Sequence, residues 1–195
     1  MQATADPIHT VVLVEGDSDR AAVLVLAERR GLSMTGIDVL AMGGATSIGR
    51  FVRTYGRRGL GRRLTGLCDR AEVPHFLRAL IDEDPRAPHP GPADLASWGF
   101  FVCDGDLEEE LITALTPTEV VRVVAAFGDL ATFRRLQQQP AHRGQSLESQ
   151  LHRFFGSASG RKISYAARLA AAVPDDRIPR PLSGLLTVLR SRGDD

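Results

Sequence analysis

The sequence predicts an α/β fold: a four-stranded parallel sheet flanked by helices, with a C-terminal helical extension. Three observations lead there. Short apolar runs rich in β-branched or aromatic residues alternate with helical stretches up to Cys103, and no further run of that kind follows Gly128. The third is size, because 195 residues of which 43% are hydrophobic can bury a core within one domain.

Thr10 to Val14 (TVVLV) is apolar at every second and every intervening position but the first, which suits a parallel strand covered on both faces. It ends at Glu15-Gly16. Asp17 to Arg30 then reads as an amphipathic helix with acids in its first turn and Gly31 as its stop. The unit repeats: strand Ile37 to Ala41, turn Gly43-Gly44, and a helix through Tyr55 capped by Thr46 or Ser47. It repeats again as strand Arg63 to Cys68 and a helix around Pro74 to Ile81. Asp82 to Pro92 reads as a loop, and Gly99 to Cys103 is the fourth strand. From Leu107 to Phe127 the pattern is helical, broken at Pro117 and restarted at Thr118. Four more helices follow over 129–139, 146–155, 162–172 and 181–190. The expected division is a sheet domain over 8–128 and a helical extension over 129–195 that contributes to the same site.

Composition narrows the function. Met1 to Thr10 has no basic cluster leading into an apolar run, so no secretion signal is expected, and no apolar stretch approaches the roughly 20 residues that a membrane helix needs. Cys68 and Cys103 lie inside strands and suit a reducing, cytoplasmic setting. The net charge of zero decides nothing about nucleic acid, because basic and acidic patches can compensate. Among the 24 basic residues all but Lys162 are arginine.

In an open parallel sheet, ligands bind at the carboxyl ends of the strands. Here that edge is acidic. The first strand ends at Glu15, with Asp19 a helical turn later; the third ends at Asp69, with Glu72 close behind; the fourth ends at Asp104, Asp106 and Glu108. So many carboxylates cannot stay ionised side by side without a cation, and oxygen ligands select Mg2+ or Mn2+, as one or two ions, over zinc. Such ions can orient a phosphodiester, activate water and stabilise a leaving oxygen.

VVLVEGDSDRAAV resembles the opening motif of TOPRIM domains, the Rossmann-like fold shared by topoisomerases, bacterial primases and several nucleases. LTGLCDRAE resembles their second motif, a strand ending in Asp-x-Asp. FVCDGDLEEELITAL and GRKISYAARLA look more narrowly like the TOPRIM half of overcoming-lysogenization-defect (OLD) family nucleases. The resemblance spans roughly residues 10 to 172. It implies that Glu15, Asp19, Asp69, Asp106 and Glu108 are metal ligands, with Glu15 also in acid–base work. It implies that Lys162 stabilises charge developing on a scissile phosphate. Gly16, Gly43 and Gly44 would permit tight turns and close backbone approach. Two departures stand out. Ala71 occupies the second position of the Asp-x-Asp pair, so either Glu72 or Asp104 supplies the missing carboxylate or one metal site is weak. OLD proteins also join their TOPRIM to an ATPase, and no phosphate-loop motif occurs here, so an ATPase would be a separate chain.

Each residue also has a plainer reading. Glu15 could cap a helix, Asp69 could pair with Arg70, the acids from Asp106 to Glu110 suit a helix start regardless of metal, and Lys162 could be a solvated helix-start lysine. Arg50, Arg53, Arg57 and Arg58 lie in an acid-free stretch that would suit a phosphate backbone, or would equally be a solvated helix face. His75, His89, His142 and His152 have no metal-ligand spacing and read as structural or surface. The leading expectation is a metal-dependent nuclease acting on DNA, with RNA as an alternative and a homodimer as one assembly. The runner-up is a catalytically weak TOPRIM serving as a nucleic-acid-binding or regulatory partner of a separate ATPase.

Overall fold

The computed structural model describes residues 9–84, 91–158 and 160–191. His89, most of the expected 82–92 loop and the first eight residues lie outside that set.

The first element, β1 (Thr10–Val14), leads into α1 (Asp17–Arg29) and β2 (Ile37–Ala41). After a 3-10 turn come α2 (Ile48–Tyr55), β3 (Arg63–Asp69), α3 (Val73–Glu83) and β4 (Phe100–Cys103). All three strand pairings are parallel and the spatial order is β2-β1-β3-β4. The chain leaves β1 in one direction, toward β2, and leaves β3 in the other, toward β4. The carboxyl ends of β1 and β3 therefore flank the point where the winding reverses, and a crevice forms there.

Alternate side chains of β1 feed two cores. Val12 and Val14 join Ala22, Leu26, Leu67 and Cys103 on one face, and Val11 and Leu13 join Ile48, Cys68, Phe76 and Phe100 on the other. Helices α2 and α3 cover the second face, with Leu95 and Trp98 of a 3-10 segment (Pro92–Trp98) packed beside them. The first face carries α1, then α4 (Leu107–Leu115), α5 (Pro117–Ala126), α6 (Leu130–Gln137), α7 (Leu147–Phe155), α8 (Arg161–Ala172) and α9 (Arg180–Arg190). Phe133, Phe154, Tyr165, Leu169 and Leu185 are wholly buried in the same cluster as Val12. Helix α8 lies along α1, and Arg29 Nη1 secures the pair by donating to the Ala170 and Val173 carbonyls at 2.6 and 2.9 Å. No helix among the described residues is long and apolar enough to cross a membrane.

Local details depart from the sequence expectations in several places, among them the ends of the expected 82–92 loop, where Asp82 and Glu83 close α3 and Pro92 opens a 3-10 segment. Ser47 makes no side-chain cap for α2, because it already has helical dihedrals (φ −77, ψ −13) at the end of the Ala45–Ser47 turn. The second helix after β4 starts at Pro117 rather than Thr118: the Thr116 hydroxyl accepts from the Glu119 N–H and Pro117 fills the first helical position, where no N–H is needed.

Candidate metal and phosphodiester site

The Gly43-Gly44 turn is the clearest backbone device at the crevice. Both residues have positive φ (72° and 115°), which favours glycine, and both N–H groups donate to the Glu15 carbonyl, at 3.0 and 3.1 Å. The turn after β2 thereby fixes the end of β1. Gly16, expected to serve the same purpose, does not: its backbone is extended (φ −138), and an added Cβ would meet only ordinary contacts at 3.8 Å or more. Its N–H instead donates to Asp19 Oδ2 at 2.8 Å. That bond orients the Asp19 carboxylate back over the start of α1.

Three strand ends and one distant helix contribute to a single electrostatic group. Burial, then the fields of Glu15, Asp19, Asp106 and Glu108, push the Asp69 carboxyl up to about 7. Asp19 is pushed up to about 6, first by burial and then by Glu108 and Glu15, although the Gly16 N–H and Lys162 pull it down. Glu108 is also raised, by burial foremost and against the pull of Lys162. For Lys162, burial acts downward, but Glu108, Asp106 and Asp19 outweigh it and leave the ammonium raised. Each shift reports the same strain: these acids are held close together and partly out of water.

Glu108 is the most constrained of them. Its side chain is 1% exposed, yet neither carboxylate oxygen has a hydrogen-bond partner among the described residues. Lys162 Nζ is 3.2 Å from Oε2, at ion-pair distance but without hydrogen-bond geometry. Lys162 is therefore its counter-ion, while Oε1 is left without a partner among the described residues, which is costly for a buried carboxylate. Hard oxygen donors, a buried unsatisfied carboxylate and mutually raised neighbours together fit a divalent ion of the Mg2+ or Mn2+ type.

Asp106 caps α4, accepting from the Glu109 N–H at 2.9 Å through Oδ1, and its Oδ2 lies 2.6 Å from His152 Nε2 on α7. Ligand atoms of Asp106, Glu109 and His152 come within 4.8 Å of one another. Neither Glu109 nor His152 stood out in the sequence. His152 lies 46 residues from Asp106, and only the folding of α7 over α4 reveals the pairing.

Two sequence candidates are engaged elsewhere. Asp104 is 79% exposed and accepts from Arg70 Nε at 2.7 Å, with Arg70 Nη2 on the same oxygen. Glu72 lies 3.6 Å from His75. Ala71 therefore has no evident substitute carboxylate in the electrostatic group that surrounds Asp69. The arginines of α2 and the turn after it are dispersed as well: Arg57 pairs with Asp84 at 2.5 Å, Arg50 lies over the Phe51 ring, and Arg53 and Arg58 share a cavity with Asp82 and Glu83. The two thiols are buried, and burial foremost pushes Cys68 up to about 12, so neither is a nucleophile at neutral pH.

Residues 9–70 match the family described as "Overcoming lysogenization defect protein-like, TOPRIM domain". Among solved structures, the C-terminal region of the Xanthomonas campestris pv. campestris OLD protein is similar at 27% identity and a TM-score of 0.74, covering 94% of this chain and 92% of that one. The C-terminal region of the Burkholderia pseudomallei OLD protein has the same fold at 20% identity and a TM-score of 0.71, with 94% and 98% coverage. No curated protein sequence matches the chain.

Proposed function

From the premise that this chain carries a TOPRIM domain resembling the C-terminal region of OLD proteins, we propose that it is a divalent-metal-dependent endonuclease or related phosphodiester-processing enzyme acting on DNA. The observation that carries the proposal is Glu108, a buried carboxylate paired with Lys162 at 3.2 Å through Oε2, with Oε1 unpartnered among the described residues, within a cluster of raised acids. Glu15, Asp19, Asp69, Asp106 and Glu108 would hold one or two Mg2+ or Mn2+ ions. Bound there, the metal would polarise the phosphodiester and lower the pKa of an attacking water.

The remaining work falls to the chain's own residues. Lys162 offers a positive charge beside the group, where it can offset charge developing on a phosphate oxygen. Glu15, fixed by the Gly43-Gly44 turn through its carbonyl, would take or return a proton as well as bind metal. His152 would hold Asp106 in one orientation, as partners of metal-binding carboxylates do. In this reading residues 8–128 form the TOPRIM unit, and the 129–195 extension completes its site with Lys162 and His152. A cytoplasmic enzyme working with an ATPase, and as a homodimer, completes the proposal.

The second reading, a catalytically weak TOPRIM acting as a regulatory or nucleic-acid-binding module, draws on one observation. Asp104 and Glu72, the candidates to replace the carboxylate absent at Ala71, are paired with Arg70 and His75.

Supercoiled plasmid incubated with the protein and Mg2+ or Mn2+ separates the two. The nuclease reading expects nicking or linearisation that disappears with EDTA and in Glu15→Ala and Asp69→Ala. Metal binding by calorimetry with no strand cleavage under either ion would establish the weak module instead.

A further inference from the structure

A second cavity, of about 480 Å3, lies between α6, α7 and the start of α8. Arg135 and Thr132 enter it from α6, His142 from the following loop, Arg153 from α7, and Ser157 and Arg161 from the junction with α8. No acidic residue lines it. Among the described residues none of its three guanidinium groups has a carboxylate partner. Arg135 Nη2 donates to Thr132 Oγ1 at 3.2 Å, Arg161 Nη1 donates to Ser157 Oγ at 2.6 Å, and the Arg161 guanidinium stacks on the Phe154 ring at 4.3 Å. His142 Nδ1 is buried with no hydrogen-bond partner. Three uncompensated arginines around one hollow repel one another, and an anion would relieve them. Guanidinium forks match the paired oxygens of a phosphate, and hydroxyls beside them add donors.

The cavity adjoins the acidic group through two helices. On α7, His152 meets Asp106 and the next residue, Arg153, lines the cavity. On α8, Lys162 meets Glu108 and the preceding residue, Arg161, lines it. Neighbouring helical residues point about 100° apart, so each helix presents one residue to the acids and the next to the hollow. A strand whose phosphate lies at Lys162 continues naturally toward Arg161 and Arg153.

The geometry points to this cavity as a phosphodiester-binding subsite that seats the backbone of the nucleic acid strand beside the bond being cut, in place of the arginines on α2. The inference rests on the proposed action on nucleic acid, but it concerns binding and can be read without cleavage.

Anisotropy of a labelled DNA duplex, titrated in EDTA across a range of salt concentrations, tests it. Arg135→Gln/Arg153→Gln, both at exposed positions, is expected to weaken binding at least tenfold and to reduce the slope of log affinity against log salt by about one, the loss of a phosphate contact. Arg53→Gln/Arg58→Gln should change both far less, and Arg153→Lys should retain most of the affinity. An unchanged thermal midpoint confirms that the double variant is folded. Equal affinity and slope in wild type and the α6/α7 variant would overturn the inference. So would inorganic phosphate bound by wild type and lost in the variant at constant DNA affinity, which would make the hollow a free-anion site. A wild type that binds DNA through these arginines but never cuts it sinks the nuclease reading alone. One that cuts while the variant keeps its full slope sinks only this subsite.

Discussion

On the α2/α3 face of the sheet, a single helical layer closes over Val11, Leu13, Phe76 and Phe100. On the opposite face α1 is itself covered by α8, so two layers stand between the strands and solvent there. The candidate chemistry tracks this asymmetry. Asp19, Glu108, Lys162 and His152 all come from the thick side. The thin side supplies Glu72 and the arginines of α2, which are largely solvated or paired. A second layer can bury a carboxylate and bring a lysine to it from 54 positions away in the chain, as Lys162 is brought to Glu108, whereas a single layer leaves its charges to water.

The comparison breaks first if the thick face does not depend on its outer layer. Phe155 is 1% exposed and stacks on Tyr165 at 4.7 Å. Phe155→Ala is therefore expected to cost about 3–5 kcal/mol in chemical denaturation, a core truncation of ordinary size. A loss below 1 kcal/mol would mean that α7 and α8 pack only loosely over the sheet. Next in size is Lys162→Met, for which cleavage should fall by a factor of roughly 10²–10³ in single turnover at saturating protein. A rate within a factor of two of wild type would return Lys162 to the status of a solvated helix-start residue.

Metal and pH sharpen the comparison from another side. Asp19 and Asp69 titrate near 6 and 7 in the folded protein against an ordinary value of 3.8, so the folded state binds protons that the unfolded chain has released. Their contribution to stability is complete below pH 4 and is lost as pH rises through about 7. Metal-free protein should accordingly melt at a lower temperature at pH 8 than at pH 5. Mg2+ should reverse the trend and add about 2.7 kcal/mol at a hundred times its Kd. A melting temperature indifferent to Mg2+ at pH 8 would count against a metal among these acids. The smallest effect belongs to Arg70→Ala. Its pair with Asp104 is 65% and 79% exposed, so stability should change by less than about 1 kcal/mol and cleavage should persist; a large loss of cleavage would bring Asp104 back as a ligand-side residue.

The central strand was legible in the sequence because a covered parallel strand leaves an apolar run, TVVLV. IDVLA, an edge strand with only Val39 fully buried, was legible from its apolar residues and the Gly43-Gly44 turn behind it; both end where the structure ends them. The acids at the strand ends were legible for the same reason, since their position follows from the strand boundaries. His152 and Glu109 were not. An apolar stripe on α7 announces that the helix buries one face, but not that α4 is what it meets, and a pairing 46 residues apart leaves no local spacing. The arginine-rich stretch from Arg50 to Arg63 has partners that the sequence does not show. Its positive charge is real, but partners such as Asp84 come from α3 and the segment just after it, and those contacts exist only in three dimensions. Arg135, Arg153 and Arg161, scattered over three elements, line one cavity.

The bonds from Arg29 to the Ala170 and Val173 carbonyls span 141 and 144 residues. A ribosome makes the chain from the other end, so the strands and α1 emerge long before α8 can reach them. Until then the apolar side of α1 has nothing to lie against, and Glu108 waits without Lys162. The acidic edge is thus assembled in two instalments, the carboxylates through Glu108 first and Lys162 54 residues later. Completeness arrives late, with a single docking event along α1.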